Sequence, residues 1–256
     1  MAKSRAYFVL CSLFTNIFCQ NTGCNEWFNT CFFIFTSNQF ISIPMQNLTI
    51  TNITSWAKEK LQSVDAGHDW WHIKRTLTNA KKLHQTEGGD WHVIELAVLL
   101  HDVPDPKFFD EEKMLVEVEQ KMESEGVSLS KCEHVMQIIK HLSFSKQWSG
   151  KAFDSLEFRI VQDADRLDAI GAIGIARAFS YGGHKGRDFY DPEVPVQKYA
   201  NAEAYRKSDA PTINHFYEKL LLLKDLMKTD SGKTMAQQRH DYMEGFLKQF
   251  YSEVEQ

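Results

Sequence analysis

The run VIELAVLL at residues 93–100 is apolar apart from Glu95 and leads straight into His101-Asp102. It is far shorter than the roughly 20 apolar residues that cross a bilayer as a helix. It therefore reads as a helix buried on most sides within a globular core. Pro104 and Pro106 stop that helix just beyond the His-Asp pair. An imidazole and a carboxylate thus stand at the mouth of a buried helix. Burying either group alone is costly, and a metal ion would satisfy both at once.

The elements that must wrap this helix also read as helices. Ile73, Thr76, Leu77, Ala80 and Leu83 recur at helical spacing, which predicts an amphipathic helix over 68–86, closed by Gly88-Gly89. Residues 110–125 predict a charged, solvated helix ending at Gly126. Residues 128–142 predict another, with Val135, Ile138, Ile139 and Leu142 on its apolar face. Residues 156–179 read as one long helix or a pair broken at Gly171. Residues 181–195 read as a loop rich in glycine, charge and aromatics, with Gly182-Gly183 as a helix cap. Two amphipathic helices are expected over 213–227 and 235–254, joined by a turn at Asp230-Ser231-Gly232. No strand alternation and no internal repeat stand out, so the body should be a helical bundle.

The first 44 residues are a different kind of sequence. Their only charged residues are Lys3, Arg5 and Glu26, and they hold Cys11, Cys19, Cys24 and Cys31, four of the five cysteines. Lys3 and Arg5 ahead of the apolar run 7–18 resemble a secretory signal peptide. The cysteines form no C-x-x-C pair, which argues against a zinc site. The favoured reading is that residues 1–44 lie outside the fold, with translation assigned too far upstream and Met45 serving as a start; a targeting segment is the alternative. On the favoured reading the protein is cytoplasmic, which suits a body with the single cysteine Cys132.

Three His-Asp pairs occur, His68-Asp69, His101-Asp102 and His240-Asp241, so the dipeptide alone carries no information. His240-Asp241 sits in the charged stretch QQRHDYME and reads as a solvated helix face. A metal at His101-Asp102 needs further ligands. His72 lies beside the apolar stripe of its helix, and Asp165 shares a helix with Phe158, Val161 and Ala169 at matching spacing. Such a mixed nitrogen and oxygen site suits manganese, magnesium, iron or nickel better than a thiolate-type zinc site. Spacing alone does not choose His72 over His68, nor Asp165 over Asp163 or Asp168.

The motifs HIKR at His72, LLHD at His101-Asp102 and DADRLDAIG around Asp165 resemble the HD superfamily of metal-dependent phosphohydrolases, in order and in spacing. The flanking text GHDWWHIKRT, LLHDVPDPKF and QDADRLDAIGAIGIARAF resembles the small stand-alone bacterial members, some of which act on nucleoside or deoxynucleoside triphosphates. The similarity runs from about residue 50 to the C-terminus. It implies an all-α, single HD-type domain of roughly eight to ten helices over 45–256. The family's first His is followed three residues later by Arg, which implies His72. Its last Asp precedes Arg in ADR, which implies Asp165. The implied metal ligands are His72, His101, Asp102 and Asp165, holding one divalent ion, with manganese preferred and cobalt also allowed. His101 and Asp102 are the implied catalytic pair, Asp102 orienting the attacking water. No G-x-S-x-G or catalytic cysteine pattern competes with this.

Weaker candidates surround the site. Asp69 is either a partner for a ligand imidazole or a helix cap. Asp105 and Lys107 follow the His-Asp pair, and Lys107 offers a point charge for a phosphate. His134 and His141 are seven apart, hence on one helix face. They are either extra metal or phosphate ligands or its plain polar edge. His184, Lys185 and Arg187 lie in the glycine-rich loop, where Tyr181, Phe189 and Tyr190 either stack on a base or pack the loop down. The net charge of -5 and the pI near 6.1 give no basic footprint for a nucleic-acid polymer. No membrane segment is expected after residue 45, and a monomer or homodimer both fit. The expected partner is a small phosphate ester, a nucleotide. Within that class a 5′-nucleotidase, a phosphodiesterase or a (p)ppGpp hydrolase are the alternatives to a triphosphatase. Outside it stand a non-catalytic nucleotide-sensing module and a helical interaction protein.

Overall fold

The computed structural model describes residues 31–36, 39–63, 70–106, 109–142, 153–197 and 208–254, with backbone alone before Asn47. The chain divides into two compact units at Ser55/Trp56. In the first unit, strands β1 (Cys31–Thr36) and β2 (Gln39–Pro44) pair antiparallel, from Cys31 opposite Pro44 to Thr36 opposite Gln39. The sequence reading gave this stretch no secondary structure. Its segments CFFIFT and QFISIP are rich in aromatic and β-branched residues, which favour strands. Helix α1 (Met45–Lys60) follows and runs across the division.

From Met45 on, the described residues form nine α-helices and two short 3-10 segments and no strand, so the body is all-α as expected. After α1 and a 3-10 turn (Leu61–Ser63) come α2 (Trp70–Glu87), α3 (Trp91–Leu100), α4 (Glu111–Ser124) and α5 (Leu129–Leu142). Then come α6 (Leu156–Asp168), α7 (Gly171–His184), α8 (Thr212–Glu218), the 3-10 segment Leu220–Leu226, and α9 (Asp230–Val254).

Helix α3 is the axis of the body. Val93, Ile94 and every residue from Leu96 to Leu100 are buried, and α2, α5 and α6 pack around it. Its start is fixed by Asp90, whose carboxylate accepts from the backbone N–H groups of His92 and Val93. Truncating one of these leucines to alanine should cost about 2–5 kcal/mol. Ser155 caps α6 in the same way by accepting from the Phe158 N–H. The most extensive pairing is between α2 and α6, which brings their polar residues face to face.

Of the two readings for 156–179, the broken pair is observed. The chain leaves α6 at Asp168 and re-enters a helix at Gly171, whose φ of +74° favours glycine. A Cβ on Gly174 would sit 2.3 Å from the Ala169 carbonyl oxygen, so only glycine lets α7 fold back this tightly on the end of α6. That corner returns Arg177 to Asp168.

Three boundaries differ from expectation. Gly182 and Gly183 lie inside α7, and the chain turns at Gly186 instead, where φ is +67°. The 213–227 stretch breaks at Lys219 into α8 and a 3-10 segment, so Ile213, Phe216, Leu220 and Leu223 are buried without forming one helix. Asp230-Ser231-Gly232 is the first turn of α9, because Thr229 caps the helix by accepting from the Gly232 N–H. His240 is also buried, with Nε2 3.2 Å from Glu244, whereas Asp241 is exposed as expected. A single polar stretch here covers two sides of one helix.

Candidate metal centre

Three helices deliver four side chains to one point. His72 is on the first turn of α2, buried among the α2–α6 contacts at 1% exposure. His101 and Asp102 follow the last residue of α3, and Asp165 is on α6. His72 Nε2 lies 3.4 Å from His101 Nε2, 3.4 Å from Asp102 Oδ2 and 3.4 Å from Asp165 Oδ1. His101 Nε2 is 3.3 Å from Asp102 Oδ1 and 3.9 Å from Asp165 Oδ1. The ligand atoms of His72, His101 and Asp102 all fall within 4.8 Å of one another. Neighbouring ligands on bonds of about 2.1 Å are separated by about 3.0 Å in an octahedron and about 3.4 Å in a tetrahedron. The observed spacings match such a shell.

The hydrogen bonds on the far side of each ring agree. His72 Nδ1 donates to Asp168 Oδ2 at 2.7 Å, and His101 Nδ1 donates to the Val98 carbonyl at 2.8 Å. Both partners accept only, so the proton of each neutral ring sits on Nδ1 and the Nε2 lone pair faces the centre. Two lone pairs 3.4 Å apart beside two carboxylates make a site for a cation. Exposure rises from 2% and 4% for the two imidazoles to 38% for the Asp165 side chain, so the site opens past Asp165.

The electrostatics follow. Burial pulls the His72 imidazolium down, but the Asp165 and Asp168 carboxylates, with Asp102 behind them, outweigh it and raise its pKa to about 9. Without a metal, a proton fills the cation's place. Burial pushes Asp165 up, yet hydrogen bonding to His72 and the nearby His101, His72 and Arg177 charges hold it well below the usual carboxylate range. Asp168, also pushed up by burial, is brought down to about 2 by its bonds to His72 and Arg75.

Sequence reasoning missed part of this. In the sequence Asp168 stands only as a rival to Asp165, and Arg75 only as a marker beside His72. Arg177 had no role. Arg75 and Arg177 both bind Asp168, at 2.7 Å from Nε and from Nη1. The available signal was spacing: Asp165 and Asp168, three apart on a helix, share a face. The third acid, Asp163, is buried elsewhere and accepts from the Lys228 and Thr229 N–H groups and the Thr229 hydroxyl.

The weaker candidates sit as follows. Asp69 and Lys107 lie outside the described residues. The Asp105 N–H donates to the Asp102 carbonyl at 3.2 Å in the turn after α3. His134 Nε2 pairs with Ser155 Oγ at 2.9 Å, and His141 donates to the Gln137 carbonyl and lies tilted against the Phe153 ring at 5.3 Å between centres. Lys185 and Arg187 each lie 5.7 Å from the Tyr181 ring centre, and Arg187 also donates to the Ser208 carbonyl. The Phe189 and Tyr190 rings pack on Phe250.

The helical body and this cluster define an HD domain protein, and the HD domain family profile matches residues 70–170. The chain belongs to that family: it is 37% identical over 204 residues to YpgQ of Bacillus subtilis, covering 79% of this chain and 92% of YpgQ. Among solved structures, a Lactobacillus plantarum protein superposes with a TM-score of 0.72 at 39% identity, covering 81% of this chain and 97% of its own. A Bacillus thuringiensis protein described as an HD-superfamily hydrolase gives 0.66 at 42% identity, covering 82% and 98%. YpgQ crystallised in complex with ADP gives 0.66 at 32% identity, covering 82% and 96%.

Proposed function

We propose that this protein is a divalent-metal-dependent phosphohydrolase that cleaves nucleoside or deoxynucleoside triphosphates. The observation that carries the reading is the convergence of His72, His101, Asp102 and Asp165 with both Nε2 lone pairs turned inward. These four residues would hold the metal, with manganese preferred and magnesium, iron, cobalt or nickel as alternatives. When bound, such an ion lowers the pKa of water and offsets charge on the phosphoryl oxygens. Asp102 orients the attacking water and accepts its proton. His101, the other half of the catalytic pair, is held in place by its bond to the Val98 carbonyl. Asp165, on the open side, borders the path by which a phosphate enters. The ADP complex of YpgQ supports a nucleotide as ligand. Asp105, Lys107, His134, His141, Lys185 and Arg187 remain the candidates for contacts to phosphate or base.

The working domain is residues 45–256, with 1–44 outside it. Among the described residues, no helix is long and apolar enough to cross a membrane. A cytoplasmic location agrees with Cys132, the one cysteine of the body, which is buried and free.

The test is release of phosphate and pyrophosphate from a nucleotide panel with manganese, magnesium, cobalt or nickel. Asp102→Ala and a chelator serve as controls. Metal-dependent turnover that both controls abolish is expected, and the released product identifies the bond cleaved. Full metal occupancy without turnover on any ester would move the reading to a nucleotide-sensing module.

A further inference from the structure

The two imidazoles of the centre are anchored unequally. His101 Nδ1 donates to a neutral backbone carbonyl, whereas His72 Nδ1 donates to the Asp168 carboxylate. That carboxylate is itself held from two sides. Arg75 reaches it with Nε at 2.7 Å from Oδ1 and Nη2 at 3.0 Å from Oδ2, and Arg177 places Nη1 2.7 Å from Oδ2. Arg177 Nη1 also lies 3.3 Å from His72 Nδ1. Both atoms are donors, so Asp168 Oδ2 stands between them and accepts from each. The three residues around the His72 ring come from α2, α6 and α7, and the tight Gly171–Gly174 corner makes the Arg177 contact reachable.

A side chain so fully engaged could serve only to tie three helices together. Its direction says more. Asp168 bonds the one ring nitrogen that faces away from the centre, and so decides which nitrogen is left for a ligand. A neutral imidazole without this acceptor exchanges between two tautomers, one of which points Nε2–H at the centre. It also gains rotational freedom about its Cβ–Cγ bond.

We propose that Asp168 is a positioning residue for the metal, fixing the tautomer and rotation of His72, and that Arg75 and Arg177 keep its carboxylate turned toward that ring. The proposal rests on the divalent-metal reading above and goes beyond it by assigning three residues outside the ligand set.

The test is calorimetric titration of the full-length, metal-free protein with Mn²⁺ and with Co²⁺ at one pH. Wild type, Asp168→Ala, Asp168→Asn and Arg177→Met are compared, with thermal melting of each metal-free form alongside. Loss of such a partner weakens metal binding about 10–100-fold, and that is the expectation for Asp168→Ala. Asp168→Asn keeps an oxygen that accepts from Nδ1 and should recover most of the affinity, although its melting temperature falls with the lost arginine pairs. Arg177→Met should fall between wild type and Asp168→Ala, because Arg75 still holds the carboxylate. Lower melting temperatures with dissociation constants within twofold of wild type would overturn the positioning role and leave Asp168 a structural tie. If Asp168→Ala does not fold, Arg177→Met decides on the same criterion. A wild type that binds neither ion would overturn the metal reading and this proposal with it.

Discussion

Helix α6 carries three carboxylates within six residues and uses them in opposite ways. Asp163 faces backbone N–H groups and a hydroxyl that tie down the start of α9. Its nearest cation, Arg166, stands off at 3.9 Å, and burial leaves its pKa raised despite those bonds and that charge. At Asp165, on the open side, and at buried Asp168, imidazole and guanidinium groups instead bring the carboxyl down. The difference lies in the partners and not in the residue type. Fixed dipoles make a carboxylate a tie between segments, whereas cationic groups make it part of a site that a proton or a metal can occupy.

The largest expected effect is on the cationic side. Asp102→Ala should lower turnover by a factor on the order of 10³ or more while the fold survives, since effects of that size are typical when a catalytic group is removed. A steady-state assay beside a melting curve checks both halves. On the structural side, Asp163→Ala strands two buried donors of Thr229 and the part-buried Lys228 N–H, and an unpaired buried donor costs about 1–3 kcal/mol. A loss of about 3 kcal/mol or more is expected in denaturant titration, with metal affinity unchanged. A variant that lost metal binding without losing stability would erase the distinction drawn along α6.

The pH dependence separates the two kinds of group further. His72 is raised from 6.5 to about 9 in the metal-free protein. The stability it contributes there is fully present below pH 6.5 and is lost as pH rises through 9. Asp168 is depressed to about 2, so its contribution is present above its ordinary value of 3.8 and disappears as pH falls through 2. Metal binding has the opposite trend to His72, because the ion must displace the Nε2 proton. Its affinity should rise roughly tenfold per pH unit from 7 toward 9 and then level off. Titrations at several pH values measure that slope, and a flat profile would show that His72 is not a ligand. The smallest effects are expected away from the centre. Lys185→Ala should raise KM a few-fold with kcat unchanged, a loss of roughly 1 kcal/mol for an exposed charge contact. Removing residues 1–44 should leave kcat unchanged.

Much of this was legible in the sequence because the signals were local. The run before His101, apolar apart from Glu95, announced the central helix; Gly88-Gly89 and Gly126 marked helix ends, Gly171 offered a break as one of two readings, and each lies at a helix boundary. His72, His101, Asp102 and Asp165 lie close together, the set that the family resemblance implied and that spacing alone left open. The contacts that were not legible depend on close approach between distant segments. Arg177 reaches Asp168 only because Gly174 lets α7 fold back on Ala169. Asp163 is explained only by Lys228 and Thr229, 65 and 66 residues away. The break at Lys219 and the start of α9 at Asp230 were hidden for a similar reason, since apolar periodicity does not distinguish an α-helix from a 3-10 segment that buries the same leucines.

The central claim is that four side chains from three helices form a divalent-metal site. Metal-free protein titrated with Mn²⁺ in a calorimeter tests it most directly, beside His72→Ala and Asp165→Ala. One saturable ion per chain in the wild type, with binding lost or weakened by orders of magnitude in both variants, is the predicted result. Binding that is absent from the wild type, or equal in all three proteins, would contradict it.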